Sequence, residues 1–454
     1  MASGSPSAAK ETQIKAQIAG LAVSLAERRV VQDAGPGLRV LVLDEWLHYP
    51  PNSGRGVRTW SLLQRLARRH KVSLLCYGDA EAEASVAARA AGISLHLVRP
   101  FTAPRGARLY AGLLANIFSR YPYSVWKHYT KRYENRLREL LRDNQFDLVH
   151  CECTPYARFL GVVERLPRLI MAHNIESQIL FRRAQQSQTI VERVFFGLQA
   201  RRMEAFEREV LRRADWVTVV TELDAEQVRA WGVQRTSLVE NGVDVDQFVP
   251  LEGKCDSDEI LFLAALDWYP NLDALDYLLK DIFPLVRQAS PSARLRIVGR
   301  RPPAGLKERI ARCPGVEVVG EVADVRPFLT RAAVVVVPLR IGGGSRVKIL
   351  EALAMGKAVV STSVGAEGLA VTDGAHLLIA DTPSAFAART VELLGSPDEQ
   401  RRLGENGRKL VVERYSWDKM AGALEWAWQH ACAVRGGGES QVLSADAEAQ
   451  AEVQ

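Results

Sequence analysis

The stretch that decides the fold spans residues 338–352 and has the sequence PLRIGGGSRVKILEA. It follows Ala333–Val337, an apolar run typical of a buried parallel strand. The glycines at 342–344 let the chain turn sharply and bring its backbone close to a ligand. The apolar spacing that begins at Val347 predicts a helix, with Ser345 as its N-cap. The stretch therefore predicts a strand, a glycine-rich turn and a helix in succession.

Two cations, Arg346 and Lys348, stand in the first turn of the predicted helix. Helices more often begin with acidic residues, because the N–H groups at their start carry partial positive charge. The same N–H groups bind phosphate. We therefore expect the backbone of Gly343, Gly344 and Ser345, together with the two cations, to bind a phosphorylated ligand.

Glu351 follows Lys348 by three residues, so the two side chains share one face of the helix. One interpretation is a salt bridge within the helix that stabilises it by a few tenths of a kcal/mol. The other is a carboxylate behind the phosphates that accepts hydrogen bonds from both hydroxyls of a ribose. We favour the second, because the glycine turn and the cations already indicate a phosphorylated ligand.

Composition narrows the class of protein. The chain has 454 residues, enough for two domains, and its net charge of +6 suits an anionic substrate or membrane surface better than nucleic acid. No apolar run approaches the ~18 residues of a membrane-spanning helix. The six cysteines lack CxxC spacing, which favours reduced thiols in a cytoplasmic protein. GxxxxGK[ST] and GxGxxG motifs are missing, so an ATPase or a dehydrogenase is not expected.

Strand and helix patterns alternate in two series, which predicts two Rossmann-like, doubly wound α/β domains. The first series has strands at 38–43, 72–76, 93–98, 147–151, 168–172, 216–220 and 236–240. The second has strands at 260–264, 295–298, 316–319, 333–337, 358–361 and 377–380. The predicted organisation is an N-terminal extension (1–37), a first domain (38–248), a linker (249–258), a second domain (259–413), a helix crossing back to the first domain (414–433) and a disordered tail (434–454).

Doubly wound sheets bind ligands at the carboxyl ends of their strands. The loop with Asn52, Ser53 and Gly54 follows the first strand, and we expect it to face the 342–344 turn across a central cleft. His173 follows the strand at 168–172. A histidine there is either a hydrogen-bonded core residue or a cleft group, and its place at a strand end favours the cleft.

A metal site is not expected. Asp244 and Asp246 form a D-x-D pattern directly after Asn241 and Gly242, where turn formation explains the aspartates. No other His, Asp or Glu cluster has the spacing of metal ligands.

The stretch from Gly342 to Gly365 resembles the donor-nucleotide motif of the retaining GT-B glycosyltransferases of family 4, the glycosyl transferases group 1. Three other segments resemble parts of that family: Glu240–Asp244, Ala172–Glu176 and Tyr415–Trp417. Trp268–Asn271, a Trp-x-Pro-Asn pattern, is similar to sugar transferases of bacterial exopolysaccharide clusters.

The resemblance implies transfer of a sugar from a nucleotide-diphosphate donor to an acceptor hydroxyl, with retention of configuration and without a metal or other cofactor. It implies donor contacts from Asn271 and a hydrogen bond from His173 to the donor sugar. It also implies a glycan or lipid-linked acceptor. The basic and aromatic residues between Arg105 and Arg142 are either solvated helix faces or, with a lipid-linked acceptor, a peripheral contact with the inner face of a membrane. The leaving phosphate would accept the proton of the acceptor hydroxyl.

The sequence departs from the family pattern at two places. Gly343 stands eight residues before Glu351, where the family usually has a second glutamate. The loop Leu266–Leu272 lacks the usual cations, so Arg346 and Lys348 would neutralise the pyrophosphate. Two alternatives therefore stay open: an epimerase that acts on a nucleotide sugar, and a nucleotide-sugar binder without catalytic activity.

Overall fold

The computed structural model describes residues 37–47, 49, 51, 54–78, 83–99, 106–187, 189–251, 253, 256–301, 305–306, 310, 313–341 and 347–435. Two parallel sheets dominate this part of the chain, and both have the strand order of a doubly wound fold. The prediction of two Rossmann-like domains is confirmed.

The first sheet has seven strands in the order β3-β2-β1-β4-β5-β6-β7. Their bounds are β1 Arg39–Trp46, β2 Lys71–Tyr77, β3 Ser94–Val98, β4 Leu148–Cys151, β5 Arg168–Ala172, β6 Trp216–Val219 and β7 Thr236–Leu238. The helices between them are α1 Gly54–Leu66, α2 Glu83–Ala90, α3 Ala107–Ile117, α4 Tyr123–His128, α5 Lys131–Asp143, a 3₁₀ helix Thr154–Val162, α6 Glu176–Gln186, α7 Ile190–Arg212 and α8 Glu222–Ala230.

The second sheet has six strands in the order β10-β9-β8-β11-β12-β13. Their bounds are β8 Asp256–Leu263, β9 Arg294–Val298, β10 Val316–Gly320, β11 Ala332–Val337, β12 Ala358–Ser361 and β13 Leu378–Ile379. The associated helices are α9 Tyr269–Tyr277, a π-helical segment Leu278–Ile282, α10 Phe283–Ala289, α11 Arg326–Arg331, α12 Val347–Ala354, α13 Ser363–Ala366, α14 Pro383–Leu394, α15 Pro397–Arg414 and α16 Trp417–Arg435.

Each of the predicted strands has its counterpart in the structure, because apolar runs with both faces covered by helices have few other stable conformations. All six residues of β11 are buried, as its valine run predicts. The predicted linker 249–258 is too long at its C-terminal end. Residues 256–258 are polar, yet they form the start of β8, where Asp256 pairs with Ala332.

The last helix, α16, packs against α1 and the strands of the first sheet. The chain enters it beside Gly242: Val243 N–H donates to the Tyr415 carbonyl at 2.8 Å. A Cβ atom on Gly242 would lie 2.7 Å from Trp417, so only glycine fits there. No helix among the described residues is long and apolar enough to cross a membrane.

Candidate active site

The strand order reverses direction next to β1 in the first sheet and next to β8 in the second. Loops that leave neighbouring strands in opposite directions open a crevice there, which is where doubly wound proteins bind ligands. In the second sheet this crevice lies between the segments that follow β8 and β11. In the first it lies between those that follow β1 and β4.

Lys348 and Asn271 meet at the crevice of the second sheet. Lys348 lies on α12, which follows β11, and its Nζ donates to Asn271 Oδ1 at 2.8 Å. Asn271 lies near the start of α9, where its Nδ2 donates to the Ala265 carbonyl at 2.9 Å. Two residues predicted to bind the donor are thus held together, 77 positions apart in the chain.

Glu351 lies one turn after Lys348 on α12 and is half-buried. Burial raises the pKa of its carboxyl to about 7, against a smaller lowering effect of the Lys348 charge. The carboxyl therefore changes charge near neutral pH. The other residues predicted for this site, Gly343, Gly344, Ser345 and Arg346, lie outside the described residues.

Two further cations stand at this edge of the sheet, where sequence reasoning placed none. Arg300 and Arg301 follow β9, with guanidinium nitrogens 3.5 Å and 3.2 Å from the Asp267 carboxylate. Arg301 has a φ of 51°, a left-handed backbone conformation that is strained for a side-chain-bearing residue. The loop after β8 contains no cation, but the segment after the neighbouring strand β9 supplies these two.

In the first sheet, His173 follows β5 and lies against a buried carboxylate. Its Nε2 is 3.3 Å from Glu152 Oε1, and His150 Nε2 is 3.1 Å from Glu152 Oε2. Neither ring nitrogen is well aligned for a hydrogen bond to that carboxylate. Trp428 on α16 donates its Nε1–H to His150 Nδ1 at 3.2 Å, so the proton of neutral His150 is on the nitrogen that faces Glu152.

Glu152 is held ionised although it is only 1% exposed. Burial alone would raise its pKa, but His173, His150 and the Arg58 charge lower it to about 2. Burial lowers the pKa of His150 to about 4 and also lowers that of His173, so both rings are neutral at pH 7. The Thr59 hydroxyl also donates a hydrogen bond to Glu152 Oε1, at 3.0 Å.

Arg58 supplies the buried positive charge beside this cluster. Its guanidinium donates to the carbonyls of Val239 and Glu240 and to Asn241 Oδ1. The Asn-Gly turn at 241–242 is thus tied to α1. Sequence analysis missed Arg58, because an arginine in an amphipathic helix gives no sign that it is buried.

A second ion cluster lies at the end of β1. Arg55, near the start of α1, is 3.0 Å from Asp44 Oδ1 and 3.5 Å from Glu45 Oε2. Glu45 Oε1 in turn lies 3.3 Å from His128 Nδ1. Burial raises the pKa of Asp44 to about 7. Of the predicted cleft loop, Gly54 begins α1, whereas Asn52 and Ser53 lie outside the described residues.

A cavity of about 440 Å³ opens beside His173 and receives residues from both domains. Glu367 contributes from the second domain, and its carboxylate is 3.5 Å from Arg182 of α6. The remaining lining residues include Asn174, Gln178, Thr221, Asp224 and Gln227. The carboxylates and amides of this lining, which stand next to apolar side chains such as Ile179 and Leu223, suit a ligand rich in hydroxyl groups.

The Asp244 carboxylate, the first of the D-x-D pattern, binds the backbone of the turn that follows it. Its Oδ1 accepts from the backbone N–H groups of Asp246, at 3.2 Å, and Gln247, at 2.9 Å. Within the described ranges, no group of three or more His, Cys, Asp or Glu side chains is placed to hold a metal ion.

Signals for four of the missed residues existed in the sequence. Asp44 directly follows the predicted strand 38–43, and Glu152 directly follows the predicted strand 147–151. The rule that ligands bind at strand ends applies to both, as it did to His173. Arg300 and Arg301 also follow a predicted strand.

Two family models match the chain, one in each domain. Residues 53–242 match the family model "Glycosyl transferase 4-like domain", and residues 257–396 match "Glycosyl transferases group 1". A D-inositol 3-phosphate glycosyltransferase of Streptomyces bingchenggensis is 30% identical over 257 residues, which is 51% of this chain and 55% of that enzyme. The matched part thus spans about half of that relative.

Solved structures show the same fold. Sucrose-phosphate synthase from Thermosynechococcus elongatus superposes with a TM-score of 0.67 at 17% identity, covering 86% of this chain and 98% of that one. Anabaena HepE, in complex with UDP and glucose, gives a TM-score of 0.61 at 13% identity, covering 85% and 98%. With one family model matching each sheet-bearing half and these structural neighbours, the chain belongs to the GT-B glycosyltransferases.

Proposed function

We propose that this protein transfers a sugar from a nucleotide-diphosphate sugar to an acceptor hydroxyl, with retention of configuration. The main support for the proposal is the Lys348–Asn271 contact at the crevice of the second sheet, with Glu351 one turn further along α12. The Lys348 ammonium would bind the pyrophosphate, and the Glu351 carboxylate would accept hydrogen bonds from the ribose. Its neighbour HepE, whose structure contains UDP and glucose, supports this class of donor.

The first domain would hold the reacting sugar and the acceptor. His173 lies on the wall of the 440 Å³ cavity, and Glu152 behind it would fix the orientation of the ring. Because His173 is neutral, it suits a hydrogen bond to a sugar hydroxyl better than charge neutralisation. The retention, and the transfer of the acceptor proton to the leaving phosphate, are proposed from the family resemblance.

Neutralisation of the leaving diphosphate would come from side chains, with no metal or other cofactor. In this proposal Lys348 and Arg346 take this role. We further propose that the acceptor is a glycan or lipid-linked glycan of polysaccharide or glycolipid synthesis, and that the enzyme works in the cytoplasm at the inner face of a membrane.

The test starts with a panel of nucleotide sugars, because a ligand that binds the folded state raises the melting temperature. The donor that binds is then incubated with glycan and lipid-linked acceptors, and the product anomer is assigned by NMR. We expect a glycosylated acceptor with the configuration of the donor. An inverted product contradicts retention, and isomerised donor without acceptor indicates an epimerase. Donor binding without any product indicates a non-catalytic binder.

A further inference from the structure

The first domain exposes apolar side chains on two neighbouring helices, α3 and α7. Phe118, directly after α3, is 92% exposed, and Val191 on α7 is 79% exposed. We call the whole set the apolar face: Leu114, Ile117, Phe118, Ile190, Val191, Val194 and Leu198. Contiguous exposed apolar surface of this kind marks an interaction site in a water-soluble domain.

The two helices bring these side chains onto one surface. Gln199 Nε2 donates to Asn116 Oδ1 at 3.1 Å, and Arg202 Nη1 donates to the Asn116 carbonyl at 2.9 Å. The end of α3 therefore lies beside the Leu198 end of the α7 stripe. On α7 the side chains at 190, 194 and 198 recur every four residues, so the stripe runs about 12 Å along the helix.

The charge on the α3 side of the apolar face has one sign, whereas the α7 side also carries the exposed Glu192 between Val191 and Val194. Residues 84–133 contain no Asp or Glu, and their cations are Arg89, Arg99, Arg105, Arg108, Arg120, Lys127, Lys131 and Arg132. Arg120 and Lys127 are both exposed and follow the end of α3. Arg120 donates to the Tyr121 hydroxyl and also interacts electrostatically with Glu209, whereas Lys127 forms no ion pair within the described part of the chain.

Aromatic groups lie next to these cations. Trp126 is partly exposed and stacks on Tyr123 with ring centroids 5.9 Å apart. The Arg158 guanidinium stacks on Tyr121 at 4.1 Å and on Tyr129 at 3.7 Å. A second cavity of about 460 Å³ is lined by Tyr121, Trp126, Tyr129 and Arg158 together with Lys127. Tryptophan, tyrosine and basic side chains beside an apolar surface are typical of the boundary between lipid headgroups and acyl chains.

We propose that the apolar face docks on an anionic phospholipid bilayer, with Phe118 and its apolar neighbours among the acyl chains and with Arg120 and Lys127 against lipid phosphates. A second copy of this chain fits less well, because a symmetric contact would bring the same cations together. The proposal locates the membrane contact stated above. It stands independently of the sugar chemistry, since no residue of the apolar face lines the cavity beside His173.

The experiment is cosedimentation with vesicles of phosphatidylcholine alone or with added phosphatidylglycerol. We expect wild-type protein to bind the anionic vesicles and to dissociate as salt rises. Phe118→Ser should weaken binding about tenfold or more, because it removes one large apolar side chain from the bilayer. Arg120→Gln and Lys127→Gln should each weaken it about fivefold and reduce its salt dependence.

Matched controls lie on α15 of the second domain, where Val412 and Lys409 are also exposed. Val412→Ser and Lys409→Gln should bind like wild type. All substituted residues are exposed, so circular dichroism should show an unchanged fold. Wild-type protein that ignores anionic vesicles, or apolar-face variants that bind as well as the controls, would overturn the proposal. A dimer that Phe118→Ser dissociates, seen by light scattering, would overturn it too.

Donor binding is measured by calorimetry on the same preparations. Protein that binds vesicles but no nucleotide sugar refutes the proposed transfer and leaves the docking surface supported. Protein that binds a nucleotide sugar but no vesicle refutes the docking surface and leaves the proposed transfer supported.

Discussion

Lys348 Nζ donates a hydrogen bond to Asn271 Oδ1 at 2.8 Å, and this contact joins the two segments that leave β8 and β11. The amide oxygen orients the ammonium without neutralising its charge. Lys348 also interacts electrostatically with the Glu351 carboxyl, one turn further along α12. It is a positioned cation at a crevice where doubly wound proteins bind their ligands.

Replacing Lys348 by methionine should weaken donor binding ~10–100-fold, because one charge-assisted contact to phosphate is lost. Calorimetry with the nucleotide sugar measures the effect. Lys357→Met is the matched control, since Lys357 donates to the Thr330 carbonyl at 2.9 Å and has no proposed role in binding. Equal donor affinity in Lys348→Met and wild-type protein would remove Lys348 from the site.

Asn271→Asp places a carboxylate where the amide oxygen now accepts from Lys348. The new ion pair should compete with phosphate for the lysine and weaken donor binding about tenfold, while Asn271→Ser should have a smaller effect. A titration at low and high salt separates the two variants, because only the ion pair is screened. If Asp and Ser variants bind alike, charge at this position has no part in donor binding.

Glu351 should make donor binding depend on pH. Its pKa is about 7, and the proposed ribose contacts need the ionised form, so affinity should rise as pH increases through 7 and then level off. The effect on folding has the opposite sign. A carboxyl whose pKa is raised above its unfolded value of 4.5 stabilises the fold most below that value, and the contribution is lost as pH rises through 7.

Glu351→Gln tests both halves of that argument, since glutamine does not titrate. Calorimetry from pH 6 to 8 should give a flat affinity profile, and urea unfolding should lose the part of its pH dependence that comes from this group. An unchanged pH profile in the variant would assign the titration to another residue.

Glu152→Gln should lower turnover ~100-fold and leave donor affinity within about twofold, because the His173 ring loses the charge that holds it in place. Glu152→Asp keeps the charge and should retain more activity than Glu152→Gln. A merely structural role predicts instead that both variants lose activity in proportion to their stability. Measuring kcat, donor Kd and melting temperature for each variant distinguishes the two outcomes.

Arg58→Met should destabilise the fold by about 3–5 kcal/mol, because it leaves the buried Glu152 charge uncompensated and frees the carbonyls of Val239 and Glu240. Urea denaturation measures the loss. Arg69→Met removes a half-exposed partner of Glu425, which keeps its contact with His70, and should cost less than about 1 kcal/mol. A similar loss of unfolding free energy in both variants would show that Arg58 stabilises the fold no more than Arg69 does.

The strands could be predicted from sequence because a run such as 332–337 is apolar throughout, and a parallel strand covered on both faces needs that pattern. Candidate residues at strand ends could be found for the same reason, as His173 was. Helix bounds follow less directly from the sequence pattern: α6 ends at Gln186, and α7 begins only four residues later, at Ile190, with Thr189 as its cap.

The partners of the site residues could not be predicted. His150 and Trp428 are 278 positions apart, and only the return of α16 to the first sheet brings them together. Arg58 has the same spacing as any helix cation, and its burial depends on the turn at Glu240–Asn241 that lies 182 positions later. Such contacts follow from the packing of whole elements, which local sequence patterns do not encode.

The most direct test of the account is a crystal structure of this protein with the nucleotide sugar selected by thermal shift. We predict a pyrophosphate within hydrogen-bonding distance of Lys348 Nζ, ribose hydroxyls on the Glu351 carboxylate, and the sugar extending towards His173. A nucleotide bound elsewhere, for instance with its phosphates on Arg55 at the end of β1, would contradict it.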